Sequence, residues 1–184
     1  MSTKSLMEPD ARITRLSRVV VWVTTILIGV LPPGIVAYVL LLPEQIVHWR
    51  SVAPLHLSSD PFLPEQAAAV IAVLLFYSLP SLWGLWEMRA LFRGYAAGEI
   101  FTLAMARRLR RCAMALLILA PAGPAAGVGL SLALSIGQMP GKRMLVLGIG
   151  SDDLGHALIG LALLIVAQVM VRAAKLAEEN QGFV

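Results

Sequence analysis

Four apolar segments, each long enough to cross a lipid bilayer, constrain this chain more than any other feature. A helix that crosses ~30 Å of hydrocarbon needs about 20 predominantly apolar residues. Segments that meet this condition run over residues 19–42, 67–88, 112–136 and 153–173. We therefore predict four transmembrane helices in a single membrane domain that covers residues 1–184.

The composition excludes the common soluble classes. Hydrophobic residues make up 58% of the chain and charged residues only 14%, whereas soluble domains are about one quarter charged. A disordered chain, a nucleic-acid-binding domain and an ordinary soluble enzyme are therefore excluded. We attribute the net charge of +4 to loop topology and anionic lipid headgroups rather than to nucleic acid. The predicted fold is an all-α, polytopic four-helix bundle.

The segments between the spans follow from these bounds. The first apolar run is longer than the 7–15 residues of a signal-peptide core, so we expect it to be retained. The predicted connections are an amino-terminal segment (1–18), external loops (43–65 and 137–152), a basic connection (89–111) and a tail (174–184).

Lysine and arginine fall mainly on one side of the predicted membrane. One side carries 12 of them and the other side carries three: Arg50, Lys142 and Arg143. Because cytoplasmic loops are enriched in Lys and Arg, we predict that both termini are cytoplasmic.

Prolines and small residues interrupt the spans. Five prolines should kink or locally break their helices: Pro32, Pro33, Pro80, Pro121 and Pro124. Such kinks are either structural or, in transporters, part of a substrate site. Gly123 and Gly127 have the spacing of a close helix contact, either inside the bundle or in a homodimer.

Three polar residues within or beside the spans are candidate functional groups, since ionisable and polar groups are costly there. Glu87 is expected to pair with Arg89, Arg93 and the arginines that open the third span. His156 is expected at headgroup level. Gln168 is expected to hydrogen-bond across helices.

We find no motif for catalysis, a cofactor or a metal. The sequence lacks GxSxG and HExxH, so we predict a non-enzymatic protein without a cofactor. His48 and His56 are eight residues apart, which matches no compact metal motif. The single cysteine, Cys112, is interpreted as a small apolar residue near a helix start. Ser151 is expected to cap the fourth helix.

The basic connection has helix-end signals of its own. Phe92 and Tyr95 share a helix face, Gly98 should end that helix, and Thr102 should cap the next one. Four arginines then crowd the first turns of that next helix: Arg107, Arg108, Arg110 and Arg111. Positive charge is unfavourable at a helix start, so the cluster needs an anionic partner. The candidates are lipid headgroups, Glu87, Glu99 and the carboxylates of the tail.

Two motifs carry a family resemblance. The run LFRGYAAGEIFT and the tail AAKLAEENQGFV resemble an uncharacterised bacterial membrane family, domain of unknown function 2975 (YoaS-like proteins). The resemblance implies four spans in the bacterial inner membrane, with no known reaction or cofactor. It also implies a cytoplasmic partner, a small helix-turn-helix regulator. Leu103 and Ala104 stand where members usually carry an acidic or amide pair.

Together these features predict a membrane-embedded interaction or regulatory protein. Its predicted contact surface combines the GEIFT turn, the arginine cluster and the tail carboxylates, which we expect to dock near the arginines. The residues are Gly98, Glu99, Phe101, Thr102, Arg107, Arg108, Arg110, Arg111, Glu178, Glu179 and Asn180. The alternative from another class is a small transporter or channel that acts as a dimer.

Overall fold

The chain folds into four long helices. The computed structural model describes residues 11–42, 63–99, 102–136 and 145–181. The helices are α1 (Ala11–Leu41), α2 (Pro64–Ala96), α3 (Leu103–Leu134) and α4 (Ser151–Gln181). All four are long and apolar enough to cross a membrane, and the described residues include no strand. The predicted all-α membrane fold is confirmed.

The helices extend beyond the apolar segments that predicted them. α1 begins at Ala11, α2 continues to Ala96 and α3 begins at Leu103. Arginine has a high helix propensity, and its long side chain lets the guanidinium reach water or headgroups, so the charged ends continue the helices. Most of the basic connection therefore belongs to α2 and α3. Cys112 is buried inside α3 and does not lie near a helix start.

None of the five prolines breaks its helix. Pro32 and Pro33 lie inside α1, Pro80 inside α2, and Pro121 and Pro124 inside α3. Each proline removes one backbone donor. Neighbouring helices and hydroxyl side chains make this tolerable in membrane helices. The predicted local break therefore does not occur at any of these positions, and the predicted kinks stay a prediction.

The turn between α2 and α3 forms as its residues predict. Gly98 has a positive φ of 87°, a conformation that costs residues with a Cβ about 1–2 kcal/mol. The Glu99 N–H donates to the Gly94 carbonyl at 3.0 Å, which closes the end of α2. The Met105 N–H donates to the Thr102 hydroxyl at 3.3 Å, so Thr102 is the predicted cap of α3.

The start of α4 differs from the prediction. Ser151 is the first helical residue, and the Gly150 carbonyl already accepts the first helical hydrogen bond, from the Asp153 N–H at 3.1 Å. Asp153 in turn accepts from the Gly150 N–H at 2.8 Å. Gly150 is therefore the capping residue. The carboxylate three positions later supplies the side-chain half of a capping box.

The four helices contribute to two compact units. The described part of the first unit contains residues 11–28, 82–99, 102–116 and 159–181. The second unit contains residues 29–42, 63–81, 117–136 and 145–158. Each unit therefore includes a segment of every helix.

The second unit has an apolar core, and a side-chain hydrogen bond joins two of its helix ends. Val39, Val70 and Leu130 are among its fully buried side chains. Gln66 donates to the Ile136 carbonyl at 2.7 Å, which ties the start of α2 to the end of α3. A Cβ built on Gly129 would lie 3.0 Å from Val73, so α2 and α3 approach closely there.

Alanine substitution should destabilise the protein at the turn after α2, where the backbone is left-handed, but not at a glycine inside a helix. We expect Gly98→Ala to lower the free energy of unfolding by about 1 kcal/mol or more, because alanine is strained at positive φ. The matched control is Gly155→Ala, whose added Cβ meets no atom within 4 Å. It should be neutral or stabilising. Thermal unfolding in detergent, followed by circular dichroism, measures both. Equal stability of the two variants would contradict the conclusion that residue 98 requires glycine because of its positive φ.

Candidate functional site

The first unit contains a buried carboxylate, that of Glu87, which lies next to two arginines. Glu87 of α2 is only 6% exposed. Nη1 of Arg111 donates to its Oε1 at 3.1 Å. Nη1 of Arg108 lies 3.8 Å from its Oε2. Both arginines belong to α3, so the predicted pairing of Glu87 with the arginines that open the third span is confirmed.

Small residues bring α2 and α3 close enough for this pairing. A Cβ on Gly84 would lie 3.0 Å from the Ala115 Cβ. Further along α2, a Cβ on Gly94 would overlap the side chain of Met105. The paired positions advance along α2 as they recede along α3, so the two helices are antiparallel neighbours here. Small residues at such interfaces let helix backbones approach closely.

The two oxygens of Glu87 have different environments. Oε1 accepts the hydrogen bond from Arg111. Oε2 is buried and has no hydrogen-bond partner within the described part of the chain, although the Arg108 guanidinium lies nearby. A buried carboxylate is stable only when it is paired. The side chains of Arg108 and Arg111 are 38% and 58% exposed, so both cations also reach the surface.

Arg89 does not take part in this cluster, contrary to the prediction. Its Nε donates to the hydroxyl of Thr25 on α1 at 2.8 Å, and its guanidinium lies 5.6 Å from the centre of the Trp86 ring. Among the described residues, the ion pairs of Glu87 are those with Arg108 and Arg111. Arg93, also predicted near Glu87, is exposed.

An aromatic pair lies near the end of α2. The rings of Phe92 and Tyr95 are edge to face, with centroids 5.6 Å apart and an interplanar angle of 77°. Their predicted position on one helix face is confirmed. Leu91 beside them is 4% exposed, so this last part of α2 is anchored before the turn begins.

Part of the predicted contact surface lies on the outside of the first unit. Gly98 and Glu99 are exposed, and Thr102 is half-buried. Arg107 and Arg110 are exposed, and neither pairs with a carboxylate among the described residues. The surface thus combines a glycine–carboxylate turn with two cations that have no carboxylate partner among the described residues.

The remaining predicted residues lie beyond what the structure describes. Phe101 falls outside the described ranges, as do His48 and His56. Glu178, Glu179 and Asn180 belong to α4 by their backbone, but their side chains are outside the description. Docking of the tail carboxylates on the arginines therefore stays a prediction. Among the described residues no cluster of three metal-ligating side chains occurs.

The two other polar candidates occur in different units. His156 is half-buried in the second unit, and its Nδ1 is buried without a hydrogen-bond partner in the described ranges. Gln168, in the first unit, is exposed on α4. The predicted hydrogen bond from Gln168 to another helix is not among those formed between the described residues.

Sequence reasoning missed the contacts that depend on distant segments. The bond between Arg89 and Thr25 joins residues 64 positions apart, and nothing local signals it. Gln66 did carry a signal, because it follows the helix-capping residue Leu63 by three positions and accepts from its N–H at 3.1 Å. An amide at this position is typical of a capping box.

A comparison with protein-family models assigns the chain to a family. A family model described as a protein of unknown function (DUF2975) matches residues 51–182. The chain belongs to this family. The matched range contains the whole run from Leu91 to Thr102 that carried the resemblance. No curated protein and no solved structure matches the chain.

Replacing one arginine at a time should show which cation stabilises the buried carboxylate of Glu87. We expect Arg111→Ala to lower the free energy of unfolding by about 1–3 kcal/mol, because it removes the hydrogen bond to a buried carboxylate. The control Arg110→Ala removes the same charge from the same helix at an exposed site, and should change stability by less than about 0.5 kcal/mol. Chemical unfolding in detergent micelles compares the two.

A double variant tests the cause. Glu87→Gln in the Arg111→Ala background removes the buried charge, so it should recover part of the stability lost in Arg111→Ala. Equal effects of Arg111→Ala and Arg110→Ala, or no recovery in the double variant, would contradict the role given to Glu87.

Proposed function

We propose that this protein is a non-enzymatic, membrane-embedded interaction or regulatory protein, with its contact surface on the cytoplasmic side of the bacterial inner membrane. The observation that carries the proposal is the pairing at Glu87. Its carboxylate forms ion pairs with Arg108 and Arg111. Arg107 and Arg110 of the same helix stay exposed, as do Gly98 and Glu99 in the turn before it.

The arrangement favours recognition over chemistry. The turn presents a fixed backbone conformation, because Gly98 has a positive φ and Thr102 caps the following helix. The two exposed guanidinium groups offer planar donors that suit carboxylates and phosphates. An acidic surface of a cytoplasmic protein fits these cations. Anionic headgroups compete for the same charge and contribute about 1 kcal/mol per basic residue.

The charge distribution supports the orientation. The 12 Lys and Arg residues of the amino-terminal segment, the α2–α3 region and the tail belong on the cytoplasmic side by the positive-inside rule. On this proposal, both termini and the Gly98–Glu99 turn face the cytoplasm.

Cysteine labelling tests the orientation. The chain has one cysteine, Cys112, so Cys112→Ser provides a cysteine-free background. In intact spheroplasts we expect Asp152→Cys to react with a membrane-impermeant maleimide, and Glu99→Cys to react only after permeabilisation. The two sites are exposed and serve as each other's control. The reverse pattern would contradict the orientation.

Site-specific photocrosslinking tests the interaction. A photoreactive amino acid at Glu99 should capture a discrete cytoplasmic protein in native membranes, whereas the same probe at Ile159, an exposed apolar position of α4, should not. Reversal of the two exposed charges, Arg107→Glu with Arg110→Glu, should abolish the capture. Identical products from both probe positions, or capture that survives charge reversal, would contradict the proposal.

One observation favours the second candidate, a small transporter or channel. The second unit contains a cavity of about 350 Å³, at the lower end of the range for small-ligand sites. Its lining surface is mostly apolar, and the lining residues are Leu31, Ile35, Tyr38, Leu74, Tyr77, Ser78 and Ser81. Flux through liposomes that contain the purified protein, reduced by Ser81→Leu, would favour transport. Liposomes as tight as protein-free ones would contradict a channel.

A further inference from the structure

Gln168 lies on a face of α4 that the described residues leave uncovered. Its side chain is exposed, and its neighbours on the same face are apolar. Leu161 is 51% exposed and Ile165 is 55% exposed. Spacings of four and three residues place Leu161, Ile165 and Gln168 along one stripe of the helix. A polar amide therefore interrupts an otherwise apolar outer surface.

The position of Gln168 along α4 puts its amide in hydrocarbon. At a rise of 1.5 Å per residue, the stretch from Asp153 to Arg172 is about 28 Å long, close to the ~30 Å of the apolar layer. Gln168 is about 6 Å inside the Arg172 end. Side chains of a helix tilt toward its amino terminus, so the amide of Gln168 leans away from Arg172 and toward the middle of the membrane.

An exposed amide at this depth is unfavourable without a partner. Lipid tails offer no hydrogen bonds, and an unpaired polar group in an apolar medium costs several kcal/mol. The glutamine amide is both a donor and an acceptor. Two such groups related by a twofold axis can therefore satisfy each other.

We propose that a second copy of this chain packs against the α4 stripe formed by Leu161, Ile165 and Gln168, and that the two Gln168 amides hydrogen-bond across the axis. A twofold interface uses the same patch on both copies. One polar residue in an apolar helix seam is a known device for setting register. Arg172, one turn further, ends the seam, because its guanidinium reaches the headgroups.

The glycine pair that suggested a different dimer is not open to a second copy. Gly123 and Gly127 are buried in the second unit, so their surface is covered by the protein itself. The α4 stripe, in contrast, is exposed along its length in the first unit. It also carries a group that gains a hydrogen bond from a partner.

Disulfide crosslinking in liposomes tests the interface. In the Cys112→Ser background, Ile165→Cys should form crosslinked dimers under mild oxidation. Val166→Cys is the matched control, since Val166 is also exposed but points about 100° away on the helix. It should crosslink far less. Equal crosslinking at the two positions would overturn the proposed face.

A second variant tests the role of the amide. Gln168→Leu keeps the size and apolar packing of the seam but removes the hydrogen bond, so it should weaken dimerisation about 3-fold or more. The dimer fraction of Ile165→Cys is followed while the protein is diluted in lipid. An unchanged dilution curve would overturn the proposal, and so would a protein that stays monomeric at every dilution.

Discussion

Hydrocarbon supplies no hydrogen bonds, and this constraint shapes the whole protein. Every backbone N–H and C=O inside the bilayer must find its partner within the chain, which a helix achieves within one segment. The four helices are 31–33 residues long, and only at their five internal prolines does the helix itself lack a backbone donor. The same constraint makes each polar side chain costly, so Glu87 is buried between arginines and Gln66 bonds to carbonyls at the end of α3.

The fold was predictable because its signals are local and strong. Apolar runs identified all four helices, and Gly98 and Thr102 marked the turn between α2 and α3 correctly. The helix ends were not predictable from hydropathy, because Arg107, Arg108 and their neighbours are hydrophilic yet good helix formers. Ser151 was assigned as a cap by residue type alone. The hydrogen bond from the Gly150 N–H to Asp153 decides that position instead.

The sequence predicted that the candidate site is rich in positive charge, but it predicted only some of the ion pairs that form there. Positive charge near Glu87 was evident from the sequence, and the pairing with α3 was expected because four arginines crowd the start of that helix. The choice of Arg108 and Arg111 over Arg89 depends on which helix face meets α2. That face is set by contacts such as Gly94 with Met105. Arg89 instead bonds to Thr25, which no local pattern indicates.

We propose that a cytoplasmic partner covers the turn at Gly98 and Glu99 in the cell, and one measurement tests this directly. The most direct measurement compares the labelling rate of Glu99→Cys, in the Cys112→Ser background, between inverted native membrane vesicles and purified protein in liposomes of the same lipids. We expect clearly slower labelling in the native vesicles, because a bound protein would shield the turn. Equal rates in the two preparations would contradict it.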